Sequence, residues 1–99
     1  MRHASDDAAH RAPRLRTSLS GRVRSSDGWS VVIVDPLTIR YSDGIGDVDV
    51  GAEARGGART GFELYRESLA HLPSERADLV VRRVREAFAH ARWHLRVDE

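Results

Sequence analysis

Between Pro73 and Arg92 the apolar residues recur at the period of a helix, and on both sides of that segment they alternate. Ala77, Val81, Val84, Phe88 and Ala91 follow at intervals of four, three, four and three, and Leu79, Val80 and Ala87 widen the stripe. Such a stripe is stable only against another apolar surface. The alternating runs can supply it as a sheet, and one helix on one face of a sheet defines an α+β domain.

The strands are read from those runs. Trp29 to Val34 is β-branched, too short for a helix, and bounded by Gly28 and Asp35-Pro36, which marks a buried strand and a turn. Leu37, Ile39 and Tyr41 alternate with Thr38 and Arg40, the mark of a strand exposed on one side. Ser42-Asp-Gly-Ile-Gly46 supplies a hairpin loop. Val48 and Val50 then share one face and Asp47 and Asp49 the other, in a strand expected to run through Ala52 to Ala54. A turn is expected at Arg55-Gly-Gly57, and a fourth strand over Thr60 to Tyr65 with Phe62 and Leu64 inward. Ser74 is the expected N-cap of the helix, with Glu75 and Asp78 near its positive end. Beyond Arg92 the period returns to two, so Trp93, Leu95 and Val97 predict a short final strand. The expected order is β-β-β-β-α-β: an antiparallel meander of about four strands, the C-terminal helix packed on it, then the last strand.

The chain has 99 residues, room for one small domain. In residues 1–27 the only large apolar side chains after the initiator are Leu15, Leu19 and Val23. That is little to set against ordering entropy, so these residues are expected to form a disordered basic tail, with 28–99 as the domain. The formal net charge of +1 conceals a segregation. Residues 1–27 carry six Arg against three Asp, residues 28–73 four Arg against seven acids, and residues 74–99 six Arg against five acids. The chain reads basic, acidic, basic.

Catalytic patterns are missing from the sequence. There is no Cys and no Lys, which excludes disulfides, thiolate metal sites and a cysteine nucleophile. Gly28-Trp-Ser30 lacks the second Gly of a nucleophile elbow and lies in a strand. Gly44-Ile-Gly46 lacks the third Gly of a dinucleotide loop and precedes a strand. His90 and His94 are four apart, but the change of period falls between them, so they do not form a metal pair on one helical face. Asp43, Asp47, Asp49 and Glu53 are the densest acidic group, and their spacing fails the Ca²⁺ loop pattern. No catalytic residue, metal or cofactor is expected. No apolar run is long enough for a membrane span and no signal segment is evident, so the expected location is the cytoplasm.

From Leu37 to the C-terminus the chain resembles a family of small α+β bacterial immunity proteins, which neutralise polymorphic toxins. The resemblance lies in Leu37-Thr-Ile-Arg-Tyr-Ser-Asp-Gly44, in Val48-Asp-Val-Gly-Ala-Glu53, in Gly61-Phe-Glu-Leu-Tyr65, and in a helix running into a short strand. Glu53 stands for the exposed Glu typical of the family, whereas Leu72-Pro73 stands where the family's Trp follows its aromatic strand. The resemblance implies a non-catalytic binding protein whose partner is a cognate toxin. Asp43, Asp47, Asp49 and Glu53 would meet a basic cleft, with Tyr41 and Tyr65 as aromatic contacts. The alternative is a small nucleic-acid-binding regulatory module that uses the Arg-rich tail and the helix.

Overall fold

Serine–glycine turns divide the first part of the chain. A computed structural model describes residues 14–55 and 61–98. At Ser18–Gly21 the glycine N–H donates to the Ser18 carbonyl at 3.0 Å, and Gly21 takes a φ of 85° that other residues rarely adopt. Ser25–Gly28 closes in the same way at 3.1 Å, with Gly28 at φ 90°. These turns delimit β1 (Leu15–Thr17), β2 (Val23–Ser25) and β3 (Ser30–Asp35). There follow β4 (Thr38–Ser42), β5 (Asp47–Arg55), β6 (Gly61–Tyr65), a 3-10 helix (Arg66–Leu69), α1 (Ser74–Ala91) and β7 (His94–Asp98).

The seven strands make one mixed sheet whose spatial order is the chain order. Neighbours are antiparallel from β1 to β6, and β7 returns parallel to β6. The expectation of about four strands and a final one is therefore too low. The two additional strands, β1 and β2, lie in the stretch expected to be a tail, of which residues 1–13 fall outside the described residues. Val23 is fully buried opposite Val31, and Leu15 packs against the core. Arginines between these apolar residues mask the alternation in the composition. The turn expected at Arg55-Gly-Gly57 runs into residues 56–60, also outside the described residues.

Apolar residues from β2 to β6 line one face of the sheet and form a single core with Ala77, Val80, Val81, Val84, Ala87 and Phe88 of α1. The helix touches β1 and β2 near one edge and β7 at the other, so the sheet curls around it. Pro73, not Ser74, holds the N-cap position, and no side chain caps the helix there. At its other end Arg92 adopts a left-handed conformation, φ 62°, and its N–H meets the Phe88 and Ala89 carbonyls. That reversal seats Trp93 edge-on to Phe88, with ring centroids 5.4 Å apart, and launches β7 beside β6.

The long strand β5 joins the two halves of the sheet. Residues 47–51 pair with β4, and residues 52–55 pair with β6. Beyond β6 the 3-10 helix takes over, and Ser68 Oγ accepts the Gly51 N–H at 2.9 Å while donating to the Tyr65 carbonyl at 2.7 Å. A Cβ on Gly51 would stand 3.1 Å from that of Ser68, a tight contact to which the 3-10 helix would have to yield by a few tenths of an ångström.

Because Val23 of β2 is fully buried in the core, Val23→Ala should leave a cavity there and cost about 2 kcal/mol. Leu19→Ala, in the exposed turn beside it, should stay within about 0.5 kcal/mol of the parent. Urea unfolding midpoints measure both.

Candidate functional site

The side chains of β5 separate by parity. Val48, Val50 and Ala52 are buried beneath α1, while Asp47, Asp49 and Glu53 are exposed on the opposite face. Three of the four acids singled out by sequence therefore share one solvent-facing row, as period-two geometry requires. Asp49 lies directly across from Arg40, whose Nε and Nη2 donate to its carboxylate at 2.7 and 3.1 Å. This pair holds the Asp49 carboxyl below the usual range and raises Arg40, which also feels the charge of Asp47. Glu53 accepts the Tyr65 hydroxyl at 2.6 Å, which pushes the phenol pKa up. Beside it, Glu63 of β6 faces Glu53 in register and is nearly buried in an ion pair with Arg55. Among the described residues, no arginine pairs with Asp47 or Glu53.

Asp43 belongs elsewhere. Its side chain is 10% exposed and takes two hydrogen bonds from the Arg76 guanidinium, at 2.5 and 3.0 Å. The Tyr41 hydroxyl donates to the same carboxylate at 2.6 Å, and Arg83 donates to the Tyr41 hydroxyl at 2.6 Å. Oδ1 of Asp43 also receives the Ile45 and Gly46 N–H groups, which closes the β4–β5 turn. Arg76 above all, then Tyr41 and these amides, holds the Asp43 carboxyl well below the usual carboxylate range against the opposing effect of its burial. Burial and the Asp43 hydrogen bond push the Tyr41 phenol up. Arg76 lies over the Tyr41 ring at 5.6 Å, and Arg83 lies over Trp29 at 5.5 Å. Tyr41 is fully buried, so it offers no surface to a partner.

The candidate residues thus fall into two groups. Asp47, Asp49, Glu53 and Tyr65 sit on the open face of the sheet, whereas Asp43 and Tyr41 lock α1 to the β4–β5 hairpin. Sequence reasoning missed the helix side of that lock. The available signal was that Arg76 and Arg83 are seven residues apart, two helical turns along one side of the apolar stripe. Asp78, near the start of α1, pairs with Arg66 of the 3-10 helix at 2.7 Å. His90 lies in the last turn of α1 and His94 opens β7, so they stand on different elements. Among the described residues, no group of three or more His, Asp or Glu is arranged to hold a metal ion, and no helix is long and apolar enough to cross a membrane.

No protein-family model matches the chain, no curated protein is significantly similar to it, and no solved structure matches its fold.

The Asp43 lock makes stability depend on acidity. A carboxyl whose native pKa is depressed stabilises the fold fully above its unfolded value of about 4 and loses that contribution as pH falls through the lower native value. Asp43→Asn should cost about 2–3 kcal/mol at neutral pH by stranding Arg76. The gap to the parent should narrow below about pH 4. Urea titrations from acidic to neutral pH test this, and a gap independent of pH would show that the Asp43 charge is not its source.

Proposed function

We propose that this chain is a non-catalytic binding protein that holds a basic protein partner against the open face of β5, as an immunity protein holds its toxin. The observation that carries this reading is the row of Asp47, Asp49 and Glu53, exposed along the longest strand and backed by the core. A partner's Lys or Arg side chains can pair with Asp47 and Glu53 without displacing an arginine already in place, whereas Asp49 is shared with Arg40. Tyr65 stands on the next strand with its hydroxyl on Glu53, an aromatic contact of the kind that anchors protein interfaces. Asp43 and Tyr41 act behind this surface, by fixing the hairpin that presents it. The resemblance of residues 37–99 to bacterial immunity proteins points to a toxin as the partner.

The test mixes the purified protein with the product of the neighbouring gene and follows a complex by size-exclusion chromatography and calorimetry. The variant D47K/D49K/E53K changes only exposed positions and should fold as the parent does by circular dichroism. Its affinity should fall roughly tenfold or more. A complex that the triple variant leaves unchanged rules out the acidic face, and the absence of any complex rules out this partner.

A further inference from the structure

Among the described residues the sheet ends on β1 and β7, each paired on one side only. The two edges differ in what they offer a further strand. β1 is three residues long, and Arg16 at its centre shares a face with Arg14 just before it. Charge of one sign is a common protection for an edge, because a second copy is repelled. β7 is five residues long and pairs with β6 without a bulge. On its α1 side Leu95 and Val97 stay half-buried. A notch of about 200 Å³ lined by Arg85, Phe88, Ala89, Trp93 and Leu95 also remains open there. On the other face Arg96 and Asp98 are exposed and opposite in sign. Glu63, in register with Arg96 on β6, is held by Arg55. We infer that β7 pairs antiparallel with β7 of a second copy, about a two-fold axis at Val97, and joins the two sheets into one.

Parity and charge select the register. With both helices on one side of the joined sheet, opposed residues share a face, so the axis passes beside one residue of β7. Centring on Arg96 sets that arginine against its own copy, and centring on Leu95 sets Arg96 against His94. Centring on Val97 sets Arg96 against Asp98 of the second copy, twice by symmetry, and packs the two valines together on the α1 side. Directly opposed side chains lie about 5 Å apart at Cβ, within reach of a guanidinium–carboxylate pair. The backbone N–H and C=O groups of the free edge complete the contact, as in strand addition generally. The same alternation of sign that fails to repel a second copy therefore attracts one in a single register. A two-fold contact of this kind closes at the dimer, whereas β7 added to β1 of another copy would leave edges open to further copies. Asp47, Asp49 and Glu53 lie on β5, separated from β7 by β6, and stay exposed in the dimer. The inference does not rest on the protein-partner reading.

The test is analytical ultracentrifugation of the purified full chain alone over a concentration series, with folding checked by circular dichroism. The parent should show a monomer–dimer equilibrium and no larger species. Arg96→Asp and Asp98→Arg each set like charges against one another in both pairs and should weaken the dimer by roughly tenfold or more. The double variant R96D/D98R exchanges the charges and should return to within about threefold of the parent. Asp47→Arg, on the exposed row of β5, should leave the dimer within about twofold. If Arg96→Asp fails to fold beside Glu63, the comparison of Asp98→Arg with Asp98→Asn decides instead, and reversal must weaken the dimer more than neutralisation. A monomer at every concentration, species larger than a dimer, or equal losses in Asp47→Arg and Asp98→Arg would overturn the proposal. A folded double variant that does not recover would overturn it as well.

Discussion

One carboxylate fixes how the two layers of this protein meet. Burial of the α1 stripe presses the helix against the sheet, but apolar contact is non-directional and leaves the helix free to slide. Asp43 removes that freedom. With one oxygen it closes the β4–β5 turn through the Ile45 and Gly46 amides, and with both it receives Arg76 from the first turns of the helix. Arg83, two turns on, reaches the Tyr41 hydroxyl bonded to the same carboxylate. The turn and the helix register are therefore set by one group, shielded enough that its pairing is not diluted by water. The solvent face of β5 inherits its geometry from this lock on the opposite side of the sheet.

Periodicity made much of this legible. The helix declared itself by its stripe, β3 by its β-branched run, and β4 to β6 by alternation between turn residues, with ends shifted by about a residue. Asp47, Asp49 and Glu53 fell on one face for the same reason. Asp43 could not be placed in that way, because a turn has no period and its cation lies 33 residues further on. β1 and β2 were obscured because each is three residues long and has an arginine at its centre. The turn signal was present nonetheless, in Ser18 with Gly21 and again in Ser25 with Gly28. The direction of β7 was also within reach: two strands joined by an 18-residue helix favour a parallel crossover over a hairpin.

The segregated charge means different things at its two poles, and distance decides the difference. Asp47 and Glu53 are six residues apart on one strand, roughly 20 Å, which exceeds the screening length of about 8 Å at physiological salt. Between them Asp49 is neutralised by Arg40, so the acidic row does not act as one large charge. A partner that reads it does so by separate short-range pairings, which give specificity of position more than long-range attraction. Arg16 and Arg24 stand about 5 Å apart across the ladder, with Arg14 one pleat away, all within a screening length. Their fields therefore add. A formal charge of +1 thus covers a close cluster of like charges and a discrete acidic row on one small sheet, and only in the former do the fields of neighbouring groups reinforce one another.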